Sequence, residues 1–437
     1  MANRLLNKYR IVMRVRELGQ TSRNQLADDL DINLPTISNL TRELIDAGLL
    51  RAEGFDTSAG GRRAEKLALN PNMATAIGIE VSYFGVRGVL AGAGGQIFDR
   101  EEGAQRLPED PREMLDAILA VGEALLSRAL PSRRPVGIGV GIAGLNDEAG
   151  RVSRRFPHRK EWKDIPLAER LEARLNIPAL LTNDVQAATF GEFRTGVAKG
   201  VQNALYVHMG QGIACGIVAG GRLYAGATRN AGEFGHTIVD PLGPICHCGN
   251  YGCLESLASP AALREQALVA IGKGVRSSLA EGGAEPRLSA AAVFEAADAG
   301  DRLAANVVQK AAEYIGLGLA NLVNVLNPDL VVFGGEVLTR GYRSLNEGIE
   351  RTFRARVLPI LPQETRLQVS ILGRDAASLG GALLVFEELF QSPERLFTQT
   401  AQAESRAHKA AKPAAHREAK AKITRGRRVA APRPAAK

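Results

Sequence analysis

The stretch GEFGHTIVDPLGPICHCGNYGCLES, residues 232–256, places three of the four cysteines of this 437-residue chain within eight positions. A disulfide is not expected, because the chain begins MANRLLNKYRIVMRV, with charges where a secretory signal needs an unbroken apolar core. We therefore expect a cytoplasmic protein. In a reducing compartment, closely spaced cysteines are metal ligands more often than disulfide partners.

The C-x-C-x4-C spacing of Cys246, Cys248 and Cys253 predicts a metal-binding loop, for which His236 is the best-placed fourth ligand. Three cysteines and one histidine suit tetrahedral zinc and fill its coordination shell, which indicates a structural metal rather than a hydrolytic one. The alternative is a set of three unliganded surface thiols. His247, between two of the ligands, is expected to point outward.

The composition is typical of a globular protein with two or three domains, since 45% of the residues are hydrophobic and 23% are charged. No run of about 18 uncharged apolar residues occurs, so no membrane-spanning helix is expected. Most of the net charge of +8 comes from residues 401–437, which carry +9. Residues 396–437 are predicted to form a disordered basic tail, which either attracts phosphates without sequence preference or only aids solubility.

Residues 1–70 have the pattern of a DNA-binding domain. Apolar residues recur at helical spacing in the first predicted helix, which Gly19 ends. Thr21 or Ser22 can cap a second helix, and Gln25 lies three residues after Ser22 in a capping-box arrangement. A short turn then leads to a third helix, so the sequence predicts a helix-turn-helix.

The third helix is the predicted recognition helix. Its outer face carries short polar side chains and one arginine, which a major groove accepts: Thr36, Ser38, Asn39 and Arg42. Two strands near residues 49–53 and 65–69 form a predicted β-wing, whose tip carries Arg62 and Arg63 for phosphate or minor-groove contacts. A winged helix that binds protein rather than DNA is the alternative, because the net charge of this domain is only +2.

From residue 76 onward, apolar strands that end in glycine alternate with helical stretches. Helices are predicted over residues 111–128, 165–175 and 302–326. This alternation indicates an α/β fold with largely buried sheets, and residues 71–395 are numerous enough to form two lobes.

Several of these stretches together resemble the ROK family of repressors and sugar kinases. The resemblance rests on residues 232–256, on LLTNDVQAATFGE at 180–192, on FGGEV at 333–337, and on the winged helix in front of them. It covers residues 1 to about 395. It implies an α/β, actin-like two-lobed sugar-kinase fold, preceded by the winged helix-turn-helix, with a hexose in the cleft.

The resemblance also implies a set of sugar contacts at the positions that match the family's motifs: Asn183, Asp184, Glu233, His236 and Glu255. Carboxylates and amides suit this role, because they accept from and donate to neighbouring sugar hydroxyls. His236 would coordinate zinc through one ring nitrogen and hydrogen-bond to a sugar hydroxyl through the other. The alternative is that Asn183 and Asp184 only cap the following helix.

Asp184 stands where the family's kinases keep the base that deprotonates the sugar hydroxyl, but the phosphate loops depart from the kinase pattern. Ser82, Tyr83 and Phe84 replace Gly-Gly-Thr in the first loop, and Gln211 replaces the threonine of Gly-Thr-Gly in the second. Phosphate loops need glycines so that backbone amides can approach the nucleotide. The departures predict a degenerate ATP site and no kinase activity.

The sequence thus predicts a sugar-responsive transcriptional regulator, a repressor of carbohydrate genes, that binds operator DNA as a homodimer or homotetramer. Its effector would be a sugar or a sugar phosphate, and its cofactor a structural zinc ion. Two alternatives stay open. One is an active sugar kinase, and the other is a regulator whose cleft binds no sugar and whose signal is a partner protein.

Overall fold

The computed structural model describes residues 2–55, 64–130, 134–157, 159–280, 288–359 and 365–397. Along these residues, a small helical region with a three-stranded sheet precedes two lobes that are each built on a five-stranded sheet. Arg62, Arg63 and the tail from residue 398 onward lie outside the described residues. Within the described chain, no helix combines the length and apolar character needed to cross a membrane.

The N-terminal region is a winged helix. Its elements are α1 (Ala2–Leu18), β1 (Gln20–Ser22), α2 (Arg23–Leu30), α3 (Leu34–Asp46), β2 (Leu50–Phe55) and β3 (Glu65–Leu69), with the antiparallel strand order β1-β3-β2. Ser22 caps α2 by accepting a hydrogen bond from the Gln25 amide at 3.2 Å. The Gln25 side chain donates to Asp29 instead of turning back, so only half of the predicted capping box forms.

The first lobe has a sheet in the order β11-β7-β4-β5-β6, where β4 to β6 are an antiparallel meander and β7 and β11 run parallel to β4. Its elements are β4 (Thr75–Ser82), β5 (Gly85–Gly92), β6 (Ile97–Glu102), α4 (Pro111–Arg128), β7 (Pro135–Ile142), β8 (Leu145–Asn146), β9 (Ser153–Phe156), β10 (Arg159–Ile165), α5 (Leu167–Leu175), β11 (Ala179–Asn183) and α6 (Asp184–Thr195). All residues of β5 are buried, as expected for a strand covered on both faces.

The second lobe repeats this topology, with β12 to β14 as the meander and β15 and β16 as the parallel strands. Its elements are β12 (Ala204–Met209), β13 (Ile213–Ala219), β14 (Arg222–Tyr224), α7 (Leu254–Ala258), α8 (Pro260–Gly272), α9 (Ala290–Asp298), α10 (Arg302–Leu326), β15 (Leu330–Gly334), α11 (Gly335–Thr339), α12 (Arg343–Arg356) and β16 (Arg366–Val369). The repeated sheet confirms the predicted two-lobed α/β fold.

The helices α4 and α10 have the bounds predicted from the sequence. The helix predicted from residue 165 begins at Leu167, because residue 165 still belongs to β10 and Pro166 stands at the helix boundary. The last helix, α13 (Ala376–Phe390), returns to the first lobe and packs against β4, β7 and α6.

The helix α13 also joins the winged helix to the first lobe. The Tyr9 hydroxyl donates to the Phe390 carbonyl at 2.9 Å, and Arg16 pairs with Glu387 while its guanidinium lies 4.5 Å from the centre of the Phe390 ring. A continuous hydrophobic cluster runs from α1 through α13. Leu396, which the sequence analysis assigned to the tail, is fully buried in that cluster.

Candidate functional site

A cavity of about 200 Å³ lies between the two lobes. The carboxyl ends of the parallel strands β7, β11 and β15 meet it, as expected for ligand sites in open α/β sheets. The hairpin loops that follow β4 and β12, equivalent strands of the two lobes, also line it. The cavity therefore draws its lining from matching positions of the repeated sheet.

Asn183 is the last residue of β11 and the cap of α6. Its side-chain oxygen accepts from the Val185 amide at 2.9 Å and the Gln186 amide at 3.3 Å, and its amide group donates to the Gly144 carbonyl at 3.2 Å. The capping role that the sequence analysis kept as an alternative is therefore present. Asn183 still lines the cavity, so the cap fixes a side chain that faces the space between the lobes.

Asp184 lines the cavity beside Asn183 and keeps part of its surface open to it. Burial raises the pKa of its carboxyl group to about 7, and the nearby Glu80 carboxylate adds to the shift. Burial also raises the pKa of Glu80, against the opposing charge of Arg87. Two carboxyl groups whose ionisation is disfavoured by burial therefore line the cavity, and Glu80 adds to the effect on Asp184.

Glu255 is held by a protein contact at each of its two carboxylate oxygens. Oε2 accepts a hydrogen bond from the Ile213 amide at 3.1 Å, and Oε1 lies 3.3 Å from Nδ1 of His247. A Cβ atom at Gly212 would lie 2.3 Å from Oε2. Because Gly212 has no side chain, the loop after β12 can pack closely against Glu255. Packing against Glu255 is therefore a sufficient reason for glycine at this position of the second phosphate loop, without any bound phosphate.

Glu233 and His236 line the cavity beside Glu255. His236 is the last residue of a short 3-10 turn, Phe234–His236, and Glu233 is the residue just before that turn. Oε2 of Glu233 lies 3.9 Å from Nε2 of His236. Burial raises the pKa of Glu233, although its side chain is 54% exposed. The structure thus brings together all of the residues predicted as sugar contacts: Asn183, Asp184, Glu233, His236 and Glu255.

The predicted metal ligands His236, Cys246, Cys248 and Cys253 also converge, with their donor atoms all within 4.8 Å of one another. Nδ1 of His236 lies 3.7 Å from the Cys246 sulfur, and the sulfurs of Cys248 and Cys253 are 3.7 Å apart. Bonds of about 2.3 Å to a tetrahedral zinc place two sulfurs roughly 3.8 Å apart, so the donor set fits this metal. All four cysteines of the chain are free thiols.

His247 was predicted to point outward, and its side chain is 50% exposed, but it also turns toward the site. It lines the cavity, and its ring meets that of His236 edge-on with centroids 5.1 Å apart. Its neighbours explain the turn: the Cys246 amide donates to the Asn250 carbonyl at 2.7 Å, which curls the loop so that His247 reaches Glu255. We call the part of the cavity formed by Asp184, Glu233, His236, His247 and Glu255 the metal-loop end.

A second part of the cavity lining contains ion pairs that were not predicted from the sequence. Arg87, whose side chain is only 7% exposed, lies 3.6 Å from Glu80 and 3.5 Å from Glu336, and Arg374 lies 3.9 Å from Glu336. An arginine within the apolar strand GVRGVLAG was the available signal. We call this part, with the loop residues Ser82, Tyr83, Phe84 and Gln211 that also line it, the ion-pair end.

His208, at the end of β12, was also missed. Burial lowers its pKa to about 4, so its ring is neutral at pH 7. Among the described residues, its Nδ1 atom is buried and has no hydrogen-bond partner. His208 therefore contributes a neutral polar group, and no positive charge, to the lining of the cavity.

The predicted recognition helix α3 buries Ile37, Leu40 and Leu44 in the winged-helix core. Asn39 and Arg42 are exposed on the opposite face. Thr36 and Ser38 are partly buried, so they offer less surface to a partner than the sequence analysis assumed.

Two lobes of repeated sheet topology, with a polar cavity between them, define a sugar-kinase-like fold, which is preceded here by a winged helix. The chain belongs to the ROK family, whose model matches residues 76–388.

Two proteins of the family show its two branches. A xylose repressor from Caldicellulosiruptor bescii is 29% identical over 394 residues, which cover 89% of this chain and 97% of the relative. A glucokinase from Streptomyces griseus, solved with glucose and a nucleotide analogue, is 27% identical, with a TM-score of 0.63 over 71% of this chain and 99% of the kinase.

A third match is the crystal structure of a ROK family transcriptional regulator, described as a homologue of the Escherichia coli Mlc protein. It is 28% identical, with a TM-score of 0.75 over 91% of this chain and 99% of that regulator. Its match extends over more of this chain than the kinase match does. The architecture is therefore that of the regulators of the family, with the winged helix included.

Proposed function

We propose that this chain is a sugar-responsive transcriptional repressor of carbohydrate genes that binds operator DNA and acts in the cytoplasm. The observation that carries the proposal is the convergence of Asp184, Glu233 and Glu255 on one cavity, in a chain that also has a winged helix. The match to a regulator over 91% of the chain supports the same function. Carboxylates that converge in a cleft suit the hydroxyl groups of a sugar.

A zinc ion would be held by His236, Cys246, Cys248 and Cys253 and would supply a rigid cross-link rather than a reactive centre. Nε2 of His236 faces Glu233 while Nδ1 faces the cysteines. His236 can therefore bind the metal through one ring nitrogen and face the cavity with the other. The metal-binding loop in turn positions Glu255.

The route from cavity to DNA would run along two helices. Asn183 and Asp184 begin α6, which packs lengthwise against α13, and the end of α13 holds α1 through Tyr9 and Arg16. A sugar that contacts Asp184 from the first lobe and Glu255 from the second favours one lobe arrangement. A differential affinity of about 1–3 kcal/mol would change operator binding roughly 5- to 150-fold.

The test measures operator binding by the full chain with and without sugars. Genomic footprinting supplies the operators, and mobility shifts with increasing D-xylose, D-glucose or N-acetyl-D-glucosamine supply the response. Asp184→Ala should bind operator but lose the sugar response. An unchanged response in that variant would reject the cleft as the sensor and favour a partner protein as the signal.

DNA contact itself is tested with two exposed residues of α3. We expect an inverted repeat to be bound by a homodimer or homotetramer, because one short recognition helix contacts few base pairs. Asn39→Ala should lower discrimination between operator and mutated operator by about 1–3 kcal/mol. Arg42→Ala is the comparison variant on the same face. Equal losses on every DNA sequence would show that Asn39 contacts no base.

A sugar kinase is the second candidate, because Asp184 is placed in the cavity as a catalytic base would be and the chain matches a glucokinase. Against it stand the side chains of Tyr83 and Phe84 and the pairing of Arg87 with carboxylates at the ion-pair end. We expect no ATP-dependent phosphorylation of any sugar that changes operator binding. Turnover that Asp184→Ala abolishes would establish the kinase instead.

A further inference from the structure

Carboxylates outnumber cations around the cavity. Among the described residues that line it, five carry a carboxyl group: Glu80, Asp184, Glu233, Glu255 and Glu336. Arg87 and Arg374 are the arginines of the same lining, which includes no lysine. The balance of charge therefore disfavours an anion inside the cavity.

Both arginines are already engaged by carboxylates. Arg87 lies between Glu80 at 3.6 Å and Glu336 at 3.5 Å, and it also donates to the backbone carbonyl of Arg374 at 3.4 Å. Arg374 lies 3.9 Å from Glu336 and 3.9 Å from Glu102. An incoming phosphate would have to displace Glu336 from both arginines, and buried Arg87 has little freedom to turn toward it.

Among the described residues, the histidines near the cavity offer no free positive charge. His236 faces the cysteines and Glu233, and His247 faces Glu255. His208 differs, because burial rather than a carboxylate partner shifts its pKa: burial lowers the pKa to about 4, so the ring is neutral at pH 7. Arg159 lies over the Tyr83 ring at 6.0 Å and donates to the carbonyls of Leu107 and Pro108.

Hydrogen-bonding capacity leads to the same conclusion as charge. Ionised carboxylates only accept hydrogen bonds, so a ligand that suits Glu233 and Glu255 must donate. Asp184, whose pKa is about 7, can donate a single hydrogen bond when protonated and only accepts when ionised. Each hydroxyl group of a free sugar can donate, whereas a phosphate dianion brings oxygens that only accept. A phosphate within the cavity would face carboxylate oxygens and leave acceptors on both sides unpaired.

We propose that the effector is an uncharged sugar and that the cavity rejects its phosphorylated forms. This inference rests on the proposed sugar-sensing function and narrows it to one ligand class. Glu336 is the selectivity element at the ion-pair end, since it occupies both guanidinium groups that a phosphate would need.

Isothermal titration calorimetry on the full, zinc-loaded chain tests the inference. D-xylose, D-glucose and N-acetyl-D-glucosamine are titrated beside D-glucose 6-phosphate, N-acetyl-D-glucosamine 6-phosphate and inorganic phosphate. We expect at least one free sugar to bind and its phosphate to bind at least about 100-fold more weakly, since each tenfold loss takes only about 1.4 kcal/mol of repulsion. Inorganic phosphate should give no heat of binding.

Glu336→Gln removes the carboxylate that pairs with Arg87 and Arg374. It should therefore reduce the ratio of the affinities for free and phosphorylated sugar about tenfold or more. Glu347 lies at an exposed position of α12 and does not line the cavity. Glu347→Gln removes the same charge as Glu336→Gln and should leave the affinity ratio unchanged. A sugar phosphate that binds the unaltered chain as tightly as the free sugar overturns the inference and leaves sugar sensing intact. Binding of neither class rejects the sugar-sensing function itself.

Discussion

The two ends of the cavity differ in how their polar groups are held. At the metal-loop end, Ile213 and His247 each contact one oxygen of Glu255, and His236 lies in the cysteine cluster. These contacts fix the orientation of the two side chains, and each carboxylate oxygen can still accept a further hydrogen bond. At the ion-pair end, Arg87 and Glu336 satisfy each other. One end is organised to meet a ligand, and the other is closed by its own side chains.

The largest expected effect comes from removing a metal ligand. Cys248→Ser should lose tightly bound zinc and lower the free energy of unfolding by about 3 kcal/mol or more, because metal binding contributes directly to folding. Elemental analysis and denaturant unfolding measure the two effects. Cys215→Ser, at the cysteine that lies buried in β13 outside the cluster, should keep its zinc. A zinc-free unaltered chain, or full zinc in Cys248→Ser, would contradict the assignment.

The next effect depends on pH and concerns Asp184. Its pKa of about 7 in the folded state exceeds the unfolded value of about 4, so ionising it costs folding free energy. That cost is absent below about pH 4, grows as the pH rises and is complete above about pH 7. Asp184→Asn should therefore raise the free energy of unfolding by roughly 2–4 kcal/mol at pH 8 and by little at pH 4.

Denaturant unfolding at several pH values measures this difference. Asp116→Asn, at an exposed position of α4, is the matched control and should show no such pH dependence. If Asp184→Asn raised the free energy of unfolding equally at pH 4 and pH 8, ionisation of the Asp184 carboxyl group would not be what destabilises the folded chain.

A smaller effect is expected from His247, which holds one oxygen of Glu255. His247→Leu should weaken sugar binding about tenfold or more, because a hydrogen bond to a charged group contributes about 1.5–3 kcal/mol. His247→Asn can still donate to Glu255 and should recover most of the affinity. Zinc content, measured in both variants, should stay at the level of the unaltered chain. Equal loss in the two variants would argue against the hydrogen bond.

The smallest effect is expected at the exposed edge of the ion-pair end. The Arg374 side chain is 64% exposed and 3.9 Å from Glu336, so Arg374→Ala should change the free energy of unfolding by less than about 1 kcal/mol. Thermal denaturation in low and high salt checks this value. A loss of several kcal/mol would mean that the ion-pair end is as firmly organised as the metal-loop end.

Much of this molecule follows from local patterns in the sequence. The bounds of α4 and α10 were predicted from the alternation of apolar strands with helical stretches, and the metal cluster from the spacing of three cysteines behind a histidine. Such features depend on residues close together in the chain, so their geometry is largely set before the lobes pack. The winged helix was predicted for the same reason.

The direction of His247 and the pairing of Arg87 depended on the tertiary structure. His247 meets Glu255 only because the metal-binding loop curls back onto α7, and Arg87 meets Glu336 across 249 positions of sequence. The pKa of Asp184 depends on burial and on Glu80, which stands on another strand. The sequence alone identified the predicted sugar contacts and metal ligands, whereas folding decided which other charged groups line the cavity and which of them pair, because charges far apart in sequence meet only in the folded chain.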